Sequence, residues 1–188
     1  KLKYLTLTDD EMKKLDFSPR IDIAFSTDGE KTITVSDNGQ GMSQEDLVEQ
    51  LGTIARSGTK SFLDRMSGDA KKDTNLIGQF GVGFYSSFMV ADQVEVLTRE
   101  AGSDEAFLWV SDGKGDFEIS GSERESWGTT VTLRLNEEGG EYASRWRIED
   151  IVKKYSDHIA FPIFLAYTDT KYEGEGDDRK ELKEDVVK

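Results

Sequence analysis

Between residues 21 and 51 the chain changes its hydrophobic period, and that change constrains the fold more than any other feature. Ile21, Ile23 and Phe25 alternate with polar residues, Asp28-Gly29 supplies a turn, and Ile33 and Val35 alternate again up to Asp37. Period-two alternation on both sides of a turn dipeptide predicts a β-hairpin with one wet face. After Asp37-Asn38-Gly39-Gln40-Gly41-Met42 the apolar residues Leu47, Val48 and Leu51 take helical spacing, with Ser43 and Asp46 placed as a capping pair. A hairpin that feeds a helix through a glycine-rich corner predicts helices laid on an antiparallel sheet.

The rest of the chain extends that pattern. Residues 52 to 77 are rich in Gly, Ser, Thr, Lys and Asp with short apolar clusters such as Phe62-Leu63, which predicts short helices and mobile loops, a candidate lid. Phe84 to Val90 is apolar and helical in character. Val94 to Leu97, Phe107 to Val110, Phe117 to Ile119 and Val131 to Leu135 then predict a meander of antiparallel strands. Ile148, Ile151, Val152, Tyr155 and Ile159 predict an amphipathic helix with Ser144 as N-cap, closed by Pro162 before a last strand at Ile163 to Tyr167. From Thr168 onward eight acidic and five basic residues accompany two glycines, which reads as the start of a charged linker. The expected fold is α+β, a two-layer α/β sandwich with a mainly antiparallel sheet and a mobile lid.

A chain of 188 residues can bury a real core, and 24 Lys+Arg against 38 Asp+Glu give it a formal net charge of -14. That far field repels nucleic-acid phosphates and acidic membranes, so neither is an expected partner, although a local pocket for a small phosphate ligand remains open. With no Cys there is neither disulfide nor thiolate metal site, which fits a cytoplasmic protein. No apolar run approaches the roughly 20 residues of a membrane span. Lys1-Leu2-Lys3-Tyr4-Leu5 reads as the end of a helix already under way, so the start of the domain is expected to lie upstream.

Three short segments carry chemistry. In Asp37-Asn38-Gly39-Gln40-Gly41-Met42 a carboxylate at a strand end can accept from a ligand amine, and the glycines let a flat ring approach the backbone. Alone, the segment also fits an ordinary turn. Gly78-Gln79-Phe80-Gly81-Val82-Gly83-Phe84 leads into a helical segment, where successive N–H groups can bind phosphate. It lacks the Gly-Lys-Ser/Thr ending of a P-loop and does not sit in a βαβ unit, so neither P-loop nor Rossmann binding is expected. Gly128-Thr129-Thr130 opens the strand that ends at Leu135, and by itself reads as a turn.

In this order the three resemble the nucleotide boxes of the superfamily that joins gyrase, the ninety-kilodalton heat-shock chaperones, sensor histidine kinases and MutL. Leu51-Gly52-Thr53-Ile54-Ala55-Arg56-Ser57-Gly58-Thr59-Lys60-Ser61-Phe62 and the segment Ile77 to Ser86 look like the lid and phosphate loop of the chaperone branch. Lys154-Tyr155-Ser156-Asp157-His158-Ile159 with Pro162 is similar to the last helix of its bacterial, HtpG-type members. The resemblance implies the Bergerat (GHKL) ATPase fold, with residues 1–167 as a nucleotide-binding domain lacking its first strand and helices and 168–188 leading to a middle domain. It implies adenine contacts from Asp37, Gly41, Met42, Leu51 and Thr129, and ribose or phosphate contacts from Gln50, Arg56, Gly81, Val82, Gly83 and Phe84. Arg56 stands where many members have Lys, and Gln50 where eukaryotic members have Asn.

The family's general-base Glu and magnesium-binding Asn are expected upstream of Lys1, so no catalytic or metal residue is assigned within the chain. The implied activity is ATP hydrolysis, with ATP or ADP bound and Mg2+ used in the intact protein, driving a homodimeric chaperone that acts on client proteins. A nucleotide-sensing interaction domain without turnover is the alternative. A kinase that phosphorylates a protein His is disfavoured by Ser57-Gly58-Thr59-Lys60. Glu45 and Glu49 are expected on a solvated helix face, His158 as a packing or capping residue, and Trp109, Trp127 and Trp146 as core or sheet-edge aromatics.

Overall fold

The computed structural model describes residues 18–52, 83–173 and 180–187. β1 (Ile21–Ser26) and β2 (Thr32–Asp37) form the expected hairpin, with Ile23 opposite Val35 and Ile21 opposite Asp37. Gly29 in the turn takes a positive φ of 74°, which glycine adopts without steric cost. Helix α1 (Gln44–Leu51) starts at Ser43 with both halves of a capping box: the Asp46 N–H donates to Ser43 Oγ, and the Ser43 N–H to Asp46 Oδ2. Two of the helix's orphan amides are thereby satisfied at its first turn.

Eight strands form one sheet. Besides β1 and β2 they are β3 (Ala91–Arg99), β4 (Ala106–Ser111), β5 (Phe117–Ser122), β6 (Gly128–Leu135), β7 (Ile163–Glu173) and β8 (Lys180–Val187). The spatial order is β5-β4-β3-β6-β2-β1-β7-β8, and every pair is antiparallel except β1 with β7. The sheet is thus mainly antiparallel and the architecture α+β, as the sequence pattern predicts, but the strands are not a simple meander. Strands β3, β4 and β5 follow one another, whereas β6 crosses back between β3 and β2. Its apolar side chains explain the position, because Val131 stands between Val35 and Val96, and Leu133 between Ile33 and Val94.

The two α-helices among the described residues lie on one face. Leu47 of α1 joins Ala91, Val94, Val96 and Trp109 in a buried cluster, with Met42, Leu51, Phe84 and Phe88 packed against it. Ile148 of α2 (Arg145–Tyr155) joins Ile23, Leu165 and Tyr167 in a second. On the opposite face the middle strands are polar, with hydroxyl pairs Thr34–Thr132 and Ser36–Thr130 across β2 and β6 and Arg134 bound to Glu95 and Glu30. Burial on one side and hydroxyl ladders on the other follow from period-two alternation. Among the described residues no helix is long and apolar enough to cross a membrane.

Three segments depart from the sequence reading. The apolar stretch after Gly83 is a 3-10 helix, Phe84–Met89, with five aromatic or hydroxyl side chains in a row. Helix α2 stops at Tyr155, so Ile159 lies beyond it in a turn closed by its N–H on the Ser156 carbonyl. Ser144 is its N-cap by backbone conformation, without a side-chain capping bond. Beyond Tyr167 strand β7 runs on to Glu173 and pairs with β8, from Ala166 opposite Val187 to Glu173 opposite Lys180. The charge and glycines that read as linker obscure this hairpin.

Replacing Ser43 by Ala removes one half of the capping box and should destabilise the domain by about 1 kcal/mol. Denaturant unfolding with an unchanged m-value and a lowered midpoint is the expected result.

Candidate functional site

Three residues in a row across β2, β6 and β3 build the centre: Asp37 lies opposite Thr129, and Thr129 opposite Thr98. All three are on the helix-bearing face, by alternation from Val35, Val131 and Val96. Thr98 is fully buried, and its hydroxyl fastens the loop between β2 and α1 to the sheet. It accepts from the Met42 N–H at 3.0 Å, donates to the Gly128 carbonyl at 3.1 Å and lies 3.1 Å from the Thr129 hydroxyl. A hydroxyl has one proton. With that proton on Gly128, Thr129 donates to Thr98 and keeps its own lone pairs for a ligand or water.

Two glycines permit this closeness. Gly41 has φ of 70°, and a Cβ there would stand 1.9 Å from the Arg99 carbonyl oxygen; Gly128 has φ of 115°, and its Cβ would stand 2.1 Å from the Asp37 carbonyl oxygen. The loop is further pinned by the Ala101 N–H on the Gln40 carbonyl at 2.7 Å. Asn38 holds its outer edge, donating to the Ser18 carbonyl and accepting from the Arg20 N–H.

Burial pushes the Asp37 carboxyl above its ordinary range, while the Gly39 N–H, the charge of Arg124 and the Thr129 N–H each pull it down. The Gly39 N–H reaches Oδ1 at 2.7 Å. The result is an oriented acceptor in a partly dry setting, suited to a ligand donor and poorly suited to a freely exchanging base. Met42 and Leu51 supply apolar surface beside it. Between the two helix-covered clusters Val35, on the same face as Asp37, is 38% exposed. Apolar sheet surface is thus left exposed two residues from the carboxylate.

The described site thus unites Asp37, Gly41, Met42 and Thr129, with Leu51 and Phe84 packed against the same buried cluster as Met42. Tyr85, after Gly83 and Phe84, donates its hydroxyl to the Leu51 carbonyl at 2.9 Å, tying the end of the glycine-rich segment to the end of α1. Gln50 donates to Asp46 Oδ1 at 2.9 Å, within its own helix. Arg56, Gly81, Val82 and the candidate lid lie outside the described residues. Glu45 and Glu49 are exposed, and so is His158, which the early end of α2 leaves off the helix face. Trp109 is a core residue, but Trp146 is 73% exposed on α2.

Sequence reasoning missed Thr98, Arg124 and the close approach at Gly128. The signal for Thr98 was present: it continues the inward series Val94, Val96 with a hydroxyl, and a polar residue at a core position needs a partner.

Residues 17–114 match the family described as histidine kinase-, DNA gyrase B- and HSP90-like ATPase. The chain belongs to that family. It is 60% identical over 185 residues to the chaperone protein HtpG of Helicobacter pylori strain J99, covering 98% of this chain and 30% of that protein. It is 58% identical over 187 residues to HtpG of Wolinella succinogenes, covering 100% of this chain and 29% of that protein, and 53% identical to HtpG of Treponema denticola, covering 94% and 29%. The chain therefore spans about 30% of the length of the curated relatives it matches. The Asp37 loop and the first strands of the sheet fall inside the segment matched by the ATPase family; Thr129 lies beyond it and joins the site through strand pairing.

Gly41→Ala forces a side chain into a left-handed backbone position against the Arg99 carbonyl, and should cost at least about 1–2 kcal/mol. Asp37→Asn should do the reverse. A carboxyl whose pKa folding raises carries no penalty in acid and an increasing one as pH rises through the folded value. At neutral pH the Asn variant should therefore melt at or above the wild-type temperature, an advantage that disappears in acid. Calorimetric melting across pH checks both.

Proposed function

We propose that this chain is the ATP-binding domain of an ATP-dependent chaperone that assists the folding of client proteins. The observation that carries the reading is the Asp37–Thr129–Thr98 row, a half-buried acceptor beside a hydroxyl with spare lone pairs and the exposed Val35. The identity to HtpG proteins supports the chaperone branch over the other ATPases of the family.

In this reading Asp37 accepts from the exocyclic amine of adenine, and Thr129 helps through an ordered water. Gly41, Met42 and Leu51 line the ring. Gln50 and Arg56 lie towards the ribose and phosphates, and Gly81, Val82, Gly83 and Phe84 offer backbone donors to the phosphates. The bound nucleotide is ATP or ADP, and in the intact protein its binding and hydrolysis drive lid closure and clamping of a homodimer in the cytoplasm. Residues 168–188 lead towards a middle domain.

Among the described residues no three His, Asp or Glu side chains converge where a metal ion could be held. The described asparagines are engaged elsewhere, Asn38 with Ser18 and Arg20 and Asn136 with Gly139. In this reading Mg2+ is used by the intact protein and is held by none of the described residues. The same holds for the general base, since Asp37 is held as an acceptor and Glu45 and Glu49 face solvent.

Asp37→Asn should weaken ADP binding by about 1.5–3 kcal/mol, because the charged acceptor is lost and a ligand donor is left imperfectly paired. Calorimetric titration of the intact protein measures this, and unchanged affinity would remove Asp37 from the site. Wild-type affinity should fall as acid protonates Asp37, at a pH above that of an ordinary aspartate, and this dependence should vanish in the Asn variant. The 188-residue chain alone should release phosphate from ATP at the no-enzyme rate, since loss of a positioned base commonly costs about 10²–10⁴-fold. Hydrolysis by the chain at the rate of the intact protein would overturn that part of the reading.

A further inference from the structure

Arg124, in the connection from β5 to β6, passes its side chain under the end of the β2–β6 pair. Its Nη2 has three acceptors, each at 3.3 Å: Ser36 Oγ, the Asp37 carbonyl and Thr130 Oγ1. Its Nη1 donates to the Ser126 carbonyl at 2.7 Å, which folds the connection back on itself. Ser36 and Thr130 are themselves bonded at 2.8 Å on the polar face of the sheet. The guanidinium therefore closes a polar knot directly behind the residue whose carboxylate faces the other way.

A second arginine fixes the first. Arg99 Nη1 donates to the Arg124 and Glu125 carbonyls at 3.0 Å, while its Nε and Nη2 hold Ser103 and Asp104. The carbonyl of Arg99 is the atom that Gly41 approaches. The backs of both ends of the Asp37–Met42 loop thus rest on one arginine-linked support.

We propose that Arg124 is the positioning residue of this site: its Nη2 draws the Asp37 carbonyl to the Ser36–Thr130 pair while its Nη1 holds the Ser126 carbonyl, and this planar fork fixes where the Asp37 carboxylate points towards a ligand amine. A lysine ammonium is a point charge on a flexible stem and cannot reproduce the fork. Burial depresses Arg124 and raises Asp37, and the attraction between the two opposes both shifts. The other charges around the loop are directed elsewhere. Arg99 binds Ser103 and Asp104, Arg20 binds Asp22 and lies over Phe164, and Glu100 feels Asp46 and Glu45.

The role in ligand binding rests on the adenine reading of Asp37, so the test has an arm that does not use nucleotide. In the intact protein, labelled at aspartate carboxyl carbons, the Asp37 titration is followed without ligand for wild type, Arg124→Gln and Arg124→Lys. Calorimetric ADP affinity is measured across the same pH range, with Asp37→Asn and the Asp37→Asn/Arg124→Gln pair as controls. Arg124→Gln should raise the ligand-free midpoint by about half a pH unit or more and shift the fall in ADP affinity by the same amount. Arg124→Lys should keep the midpoint near wild type but bind ADP several-fold more weakly at every pH, and in the Asp37→Asn background Arg124→Gln should leave the pH profile flat. An unmoved ligand-free midpoint in Arg124→Gln overturns the electrostatic role. Wild-type ADP affinity in Arg124→Lys overturns the clamp, and should the Gln variant not fold, that arm still decides it. A moved midpoint with unchanged ADP affinity in Asp37→Asn upholds the Arg124–Asp37 coupling and sinks the adenine reading alone.

Discussion

One buried hydroxyl joins the site to the sheet. Thr98 sits on β3, the strand at the centre of the larger apolar cluster, and its oxygen receives the Met42 amide while its proton goes to Gly128. Those two contacts belong to the loop after β2 and to the first residue of β6, which also meet at Asp37, where Gly128 closes on the carbonyl and Thr129 pairs with the strand end. An apolar residue of similar shape would leave a buried amide and a buried carbonyl unpaired, each costing about 1–3 kcal/mol. The glycines at 41 and 128 are required because this joint draws three backbones together.

The charges around Asp37 show why a net charge says little about a site. The chain carries a formal net charge of -14, yet the groups immediately behind Asp37 are two arginines with their hydrogen bonds mostly committed to carbonyls and hydroxyls. Local polarity is set by which donors are directed at a group and how dry it is, whereas the far field counts every surface carboxylate equally. Glu100, which burial and the neighbouring Asp46 and Glu45 push above its ordinary range, marks the acidic side of the same loop.

Much of this was legible in the sequence because it is local. The hairpin, the capping box at Ser43 and the strand from Ala91 need only neighbours within a few residues, and period and turn chemistry specify them. Asp37, Gly41, Met42 and Thr129 were named because the glycine-rich segments, in their order, resemble the nucleotide boxes of an ATPase family; each segment alone also fits an ordinary turn. What escaped was set by tertiary placement. The position of β6 depends on Val131 and Leu133 fitting between two other strands; Arg124 matters because its connection folds back beneath β2; and α2 gives way after Tyr155 although Ile159 keeps the helical spacing. The hairpin of β7 and β8 is carried by backbone pairing in a segment whose charge resembles a linker.

The crossing of β6 between β3 and β2 has a consequence for how the chain reaches its folded state. Ser36 meets Thr130 across 94 residues, and Arg134 meets Glu30 across 104. Loop-closure entropy must be met before such pairings return anything, and non-local strand order slows folding. During synthesis β2 emerges long before the strand it needs, with Ile33 and Val35 exposed to any other edge in reach. A polypeptide of this topology spends its early life as a hairpin with one edge open, the same hazard that chaperones exist to contain in other proteins.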